Sequence, residues 1–162
     1  MDCGIQIGEV TPRHRKALVR MYGRFDPLGA AFGLPPRSPE ARRAWICEAL
    51  THATNVAAFD AKGAIVGHCF LAPDGPDSAE LAVFVRQEHR RCGIGSALLR
   101  AALERASASG LRRVWTMTAL DNQASLRLQE SCGFRIAKAA VATVEMEIVC
   151  EAPQPALALT QS

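Results

Sequence analysis

The stretch LAVFVRQEHRRCGIGS, residues 81–96, decides the fold of this chain. Its first five residues are β-formers, so they predict a strand whose side chains alternate between two faces. Polar and charged residues follow, and Gly93-Ile94-Gly95 then predicts a turn. Beyond the turn, apolar residues recur with helical spacing and predict a helix with one buried side; they are Leu98, Leu99, Ala102, Leu103 and Ala106. The order is therefore strand, glycine turn, helix.

A glycine turn that opens a helix is suited to bind phosphate. The first N–H groups of a helix have no intrahelical partner and lie at the positive end of the helix dipole. Arg90 and Arg91 add positive charge beside them. Two familiar phosphate loops do not fit. A P-loop requires a lysine, and none lies between Lys62 and Lys138; a dinucleotide fingerprint requires a third glycine where this chain has Leu98.

The loop instead resembles the acyl-coenzyme A signature of the GNAT acetyltransferase superfamily, Arg/Gln-x-x-Gly-x-Gly/Ala. In that superfamily the loop holds the pyrophosphate of acetyl-CoA, so the resemblance implies acetyl-CoA as the cosubstrate, with no metal. It also implies that the preceding strand separates from its neighbour and offers free backbone groups to the pantetheine arm and the thioester. The residues expected to bind the cosubstrate here are Val83, Phe84, Val85, Arg90, Arg91, Cys92, Gly93, Ile94, Gly95 and Ser96.

A second stretch, from Asn122 to Phe134, resembles the superfamily motif Asn-x-x-Ala-x-x-Leu-Tyr-x-x-x-Gly-Phe. Asn122 and Ser125 are therefore expected to bind the cosubstrate, although an asparagine here is also an ordinary helix cap. The chain departs from the motif at Gln129, where many members have a tyrosine proposed to protonate the departing thiolate. Glutamine cannot act as an acid near neutral pH. Tyr22, the only tyrosine, lies in an apolar helical stripe that favours core packing instead.

Acyl transfer to an amine also needs a base, because a lysine-type amine has a pKa near 10.4. Glu80 is the candidate, since it precedes the apolar run of the central strand, where partial desolvation would raise its pKa. The alternative interpretation is a solvated glutamate at the start of a strand. His68 and Asp77 are alternative bases, and the position of His68 in a hairpin strand is more typical of a structural residue.

Three short segments bear on the acceptor: AELAV at residues 79–83, Tyr22-x-Arg24-Phe25, and Thr116-Met117. Together they resemble bacterial protein-lysine acetyltransferases of the GNAT type, in which a glutamate at the place of Glu80 is assigned as the general base. The resemblance implies acetyl transfer to a primary amine, with a protein lysine as the first choice and a small amine as the alternative. An open shallow groove would favour a protein lysine, and a carboxylate-lined cleft a small cation. A non-catalytic acyl-CoA sensor is the rival that Gln129 keeps open.

The remaining pattern predicts the GNAT element order, an α+β (three-layer α/β) fold. A mixed, mostly antiparallel sheet is flanked by helices and contains a central strand–helix–strand crossover. Strands are expected at residues 5–7, 55–59, 64–71, 81–85, 111–117, 134–136 and 142–149. Thr11-Pro12 and Ser38-Pro39 each combine a helix cap with a proline at the first helical position, and so predict two helices before the hairpin.

Composition bounds the other properties of the chain. At 162 residues with 49% hydrophobic content, we expect one domain over residues 1–150 and a tail over 151–162. The net charge of +3 is too small to indicate a nucleic-acid partner. No apolar run approaches the roughly 20 residues of a membrane helix. Six scattered cysteines without an export signal indicate free thiols in the cytoplasm. The four histidines lack the spacing of metal ligands. We expect a monomer or a homodimer.

Overall fold

A computed structural model describes residues 4–151; Cys3 and nearly all of the expected tail lie outside the described residues. Within this range the chain forms seven strands and four helices. The strands are β1 (Gln6–Glu9), β2 (Thr54–Phe59), β3 (Ile65–Pro73), β4 (Ser78–Val85), β5 (Arg113–Ala119), β6 (Arg135–Ala139) and β7 (Thr143–Val149). The helices are α1 (Arg15–Gly23), α2 (Pro39–His52), α3 (Ile94–Ala108) and α4 (Gln123–Ser131).

The strands form one sheet in the order β1-β2-β3-β4-β5-β7-β6. Neighbouring strands are antiparallel except for β4 and β5, which are parallel and joined by α3. A parallel pair needs such a crossover because a tight turn reverses the direction of the chain and can join only antiparallel strands. The predicted α+β fold with its central crossover is confirmed.

The strands β5 and β6 begin later than predicted, because the residues before them complete the ends of helices. The N–H of Leu111 donates to the carbonyl of Ala106 at 3.0 Å, and the N–H of Phe134 donates to the carbonyl of Gln129 at 3.0 Å. The glycine before each donor has a left-handed φ, +80° and +96° respectively. These are helix-ending motifs in which the residue after the glycine bonds back to the last turn, so β5 and β6 start two residues and one residue later than expected.

Helices cover both faces of the sheet. The buried side of α3, which includes Leu98 and Leu99, packs against one face together with Leu81 of β4. The helices α1 and α2 pack against β2 and β3 on the other face, where Phe84 of β4 is buried. On that second face, the side chains of β5 and β7 are exposed or half-buried; they are Arg113, Trp115, Met117, Glu145 and Glu147. One half of this face is therefore open.

A buried hydrogen-bonded chain joins α1 to the sheet. The Nδ2 atom of Asn55 donates to the carbonyls of Ala49 and Ala53, both at 2.8 Å, which leaves Oδ1 to accept from Nε2 of His68 at 2.9 Å. The other ring nitrogen of His68 therefore accepts from the Tyr22 hydroxyl at 2.7 Å. Burial lowers the pKa of His68 to about 3, so the imidazole stays neutral near pH 7.

We expect this histidine to make the stability of the protein fall as the pH drops from about 6.5 to about 3. In this window the unfolded chain takes up a proton that folded His68 cannot hold, so the free energy of unfolding falls by up to about 1.4 kcal/mol per pH unit. Urea denaturation of the wild type and of His68→Gln at several pH values measures the difference in slope. If the free energy of unfolding had the same pH dependence in both proteins, the lowered pKa of His68 would be contradicted.

Candidate active site

The sheet opens between β4 and β5. The ladder between them contains only three residue pairs, the last of which joins Glu80 and Trp115. Beyond this pair β4 continues to Val85 with β3 as its partner, and β5 continues to Ala119 with β7 as its partner. In the described sheet, the facing edges of β4 and β5 therefore lack ladder hydrogen bonds over their second halves. These backbone groups fit the amides of an extended pantetheine arm.

The start of α3 lies at the end of β4 and has no side-chain cap. Gly93 is the N-cap residue, with a left-handed φ of +74°, and it makes no side-chain cap hydrogen bond to the first turn. By contrast, Ser38 caps α2 and Asn122 caps α4 through side-chain oxygens. A Cβ built on Gly93 would meet no atom within 4 Å. The helix start therefore has space beside Gly93 and N–H groups without a side-chain cap, which fits an anion such as a pyrophosphate.

Two other glycines allow α3 to sit close to its neighbours. A Cβ on Gly67 of β3 would lie 2.9 Å from Cδ1 of Leu98 and 3.2 Å from Cγ2 of Ile94. A Cβ on Gly95 would lie 2.9 Å from Cδ2 of Leu128 in α4. Because real Cβ atoms do not approach so closely, a larger residue at either position would force the contacting leucine side chain to shift. The two glycines therefore allow close packing beside the candidate phosphate loop.

The guanidinium of Arg90 contacts two backbone carbonyls and an aromatic ring. Its Nε donates to the carbonyl of Val85 at 3.0 Å, and its Nη2 donates to the carbonyl of Asp26 at 3.1 Å. The same group lies 5.5 Å from the ring centroid of Phe25. In this structure Arg90 connects the loop after α1 to the end of β4, and a phosphate contact by its side chain stays a prediction.

The other loop residues differ in what their side chains can offer. Arg91 and Cys92 are exposed, and Arg91 has a left-handed φ of +63°. Ile94 is buried in the core against the sheet, so it can contribute only its backbone to a ligand. Ser96 is half-buried in the first turn of α3. The expected set of residues is brought together, but its contacts with the cosubstrate remain predictions.

The second motif forms the start of α4 and a buried polar contact behind it. The Oδ1 of Asn122 accepts from the N–H of Ser125 at 3.2 Å, which is the helix-cap geometry. Gln129 is buried, and its Nε2 donates to the hydroxyls of Thr118 at 2.8 Å and Ser125 at 2.9 Å. Gln129 therefore connects α4 to β5. Binding of the cosubstrate by Asn122 and Ser125 stays a prediction.

Glu80 lies at the point where the sheet opens. Its side chain is accessible to solvent and shares the face of β4 that carries Ala82 and Phe84. Partial burial, together with the nearby Asp74 carboxylate, raises the pKa of Glu80. A carboxylate that is both accessible and tuned toward neutral pH has the properties of a general base.

The alternative acid and base residues are placed less favourably. His68 and Tyr22 are buried and hydrogen-bonded to each other, so neither side chain reaches the gap between β4 and β5. Asp77 is exposed in the turn before β4, and its carbonyl accepts from the N–H groups of Arg112 and Arg113. The predicted core packing of Tyr22 and the structural role of His68 agree with this placement.

Trp115, which the sequence did not single out as a site residue, forms a wall beside the candidate base. Its indole N–H donates to Oδ2 of Asp74 at 2.6 Å. Arg113 lies 5.7 Å from its ring centroid and donates to Glu145 and Glu147, both at 2.6 Å. Only the pairing of β4 with β5 could have identified Trp115 as a neighbour of Glu80. The sequence does not specify the register of that pairing.

The fold and this open sheet define the class of acyl-CoA-dependent acyltransferases. The model of the acetyltransferase (GNAT) family matches residues 16–134, more than half of the chain, and the protein belongs to this family. It is an acetyl-CoA-dependent N-acetyltransferase, as the sequence analysis predicted. No curated protein matches the chain.

Solved structures share the fold. The GNAT domain of S. lividans PAT is 18% identical with a TM-score of 0.79, over 90% of both chains. A GNAT-family acetyltransferase from Streptococcus pneumoniae is 22% identical with a TM-score of 0.73, over 91% of this chain and 99% of that one. Spermidine N-acetyltransferase from Vibrio cholerae, in complex with CoA and spermine, is 17% identical with a TM-score of 0.74, over 91% and 96% of the two chains.

Two further properties concern the described residues alone. Across residues 4–151, each helix is too short or too polar to cross a bilayer. In the same range, His, Cys, Asp and Glu side chains do not gather in groups of three that could hold a metal ion.

A charge-only comparison at Gly93 tests the phosphate loop. Gly93→Glu and Gly93→Gln add side chains of equal size and equal backbone strain at the left-handed N-cap, but only glutamate places a negative charge at the helix start. We expect acetyl-CoA affinity, measured by calorimetric titration, to be at least about tenfold weaker for Gly93→Glu than for Gly93→Gln. Equal affinities in two folded variants would contradict pyrophosphate binding at this position.

Proposed function

We propose that the protein transfers an acetyl group from acetyl-CoA to a lysine side chain of another polypeptide, with Glu80 as the general base. The observation that carries this proposal is the position of Glu80 at the last rung between β4 and β5. A thioester that enters the gap would end beside this carboxylate. We further propose that residues 1–150 act as one domain. The free thiols of Cys47, Cys69, Cys132 and Cys150 support a cytoplasmic setting.

The chemistry assigned to the chain has three parts. Acetyl-CoA supplies the thioester, and the unpaired edge of β4 supplies N–H donors that can stabilise negative charge on its carbonyl oxygen. Glu80 accepts the proton of the amine, because that amine is largely protonated at pH 7 and must become neutral to attack. The amine nitrogen then forms a bond to the carbonyl carbon, and the carbon–sulfur bond breaks to release the thiolate. The second proton that the nitrogen loses in becoming an amide passes to the thiolate or to solvent.

The open half of the sheet supports a large acceptor. On the side of Glu80 away from α2, side chains of β5 and β7 are exposed or half-buried, so this face leaves room for the surface of a second protein. Two of the carboxylates there, Glu145 and Glu147, are already paired with Arg113. The site therefore resembles an open surface rather than a cleft lined with free carboxylates, which supports a protein lysine over a small cation.

Replacement of Glu80 tests the base. We expect Glu80→Gln to retain acetyl-CoA affinity and to slow acetyl transfer to a lysine peptide by about 10²–10⁴-fold. The pKa of Glu80 is raised, so the rate of acetyl transfer by the wild type should also fall as the pH drops through the pKa of this carboxyl. The Glu80→Gln variant should lack this pH-dependent decrease. Thiol release measured across pH, beside titration calorimetry, gives both quantities.

Asp77→Asn is the matched control, because it removes a neighbouring exposed carboxylate without touching the last rung. It should keep the wild-type rate. An unchanged rate in Glu80→Gln would overturn the assignment of the base, and loss of activity in Asp77→Asn alone would transfer the role to Asp77. Acetyl-CoA binding without thiol release toward any amine would favour a non-catalytic sensor instead.

A further inference from the structure

An apolar groove lies beside Glu80 on the face of the sheet that α2 covers. It is open to solvent and has a volume of about 600 Å³. Its lining comes from α2, the residue that follows it and the end of β3: Trp45, Glu48, Ala49, His52, Ala53, Phe70, Ala72 and Pro73. The three alanines make room between the aromatic residues and the rim.

The groove is continuous with the candidate base. Ala72 is the cross-strand partner of Glu80, and Phe70 is the partner of Ala82. Partners in an antiparallel pair share one face of the sheet, and adjacent strands lie roughly 4.8 Å apart. A polypeptide that places an amine at Glu80 can therefore place a side chain only a few residues away in the groove.

The walls of the groove are preorganised. The Trp45 ring contacts the rings of Tyr22, Phe70 and Phe84 edge-on, with centroids 5.0, 5.7 and 5.6 Å away. Tyr22 is in turn fixed by its hydrogen bond to buried His68. An aromatic wall held from behind can bind an apolar group without first losing its own side-chain freedom.

The charges of the groove lie at its rim. Among the lining residues, Glu48 and His52 carry the ionisable groups; their side chains are exposed and lie 3.6 Å apart. The floor is apolar. This arrangement complements an uncharged apolar group attached to an amine near Glu80, and it lacks the spaced carboxylates that the further amines of a polyamine would require.

We propose that this groove binds a bulky apolar side chain of the acceptor polypeptide, located within a few residues of the lysine that Glu80 deprotonates. This inference rests on the proposed function and adds a sequence preference to it. Acceptors with a phenylalanine or leucine near the lysine are favoured, because transfer of that side chain from water into the groove stabilises the complex.

Peptides with a single lysine test this preference. Phenylalanine or alanine is placed in turn at each of the three positions on either side of the lysine, and kcat/KM is measured with the full-length protein. At one position or two adjacent ones, phenylalanine should raise kcat/KM by about tenfold over alanine. Equal values at every position would overturn the inference, and transfer to the alanine peptides would show that the proposed function still holds.

A groove-filling variant provides the second arm. Ala53→Trp, with Ala53→Leu as a milder form, should bring the ratio of kcat/KM for the two peptides close to one. Ala44→Trp is the matched control, because Ala44 is exposed on α2 and does not line the groove. This variant should keep the ratio of the wild type. Melting temperature and acetyl-CoA affinity verify that all three variants fold.

Three outcomes distinguish a failure of this inference from a failure of the proposed function. A ratio that stays high in both Ala53 variants would overturn the groove assignment alone. No transfer to any peptide would overturn the proposed function and the inference with it. Faster transfer to free 2-phenylethylamine than to every peptide would also overturn the inference, because the groove would then bind the body of a small amine.

Discussion

The short ladder between β4 and β5 is the constraint on which the rest of the structure depends. It holds the two strands together at their starts, where the carbonyl of Asp77 also accepts the N–H groups of Arg112 and Arg113, and it ends at Glu80 and Trp115. A longer ladder would use the strand edges for the sheet itself. A shorter one would leave the candidate base without a fixed neighbour.

The alternation of side chains along β4 separates the two substrates. Leu81 and Val83 point toward α3, whose first turn carries the candidate phosphate loop. Glu80 and Ala82 point toward the opposite face, where the apolar groove and the open half-sheet lie. Because successive residues of a strand face opposite sides, one strand can hold the acetyl donor at its edge and present a base to an acceptor from the other side.

Local signals in the sequence predicted most of the fold. Proline after a cap residue, alternation in residues 81–85 and the glycine turn at Gly93 each act over a few residues, so they can be read without the tertiary structure. What the sequence left open depends on distant partners. The pairing of Trp115 with Glu80 is a matter of strand register, and the direction of Arg90 is decided by carbonyls on two other segments.

The glutamine at position 129 bears on which of the two proton transfers the site can assist. Gln129 is buried against Thr118 and Ser125, so this position stabilises the packing of α4 rather than supplying a proton. At pH 7, a thiol with a pKa of about 8.5 is about 1.5 units from ionisation, or about 2 kcal/mol. A lysine amine with a pKa near 10.4 is about 3.4 units away, or about 4.6 kcal/mol. Removing the proton from the amine is thus the larger of the two free-energy demands. A site with the proposed base at Glu80 and no acid at position 129 would meet that larger demand.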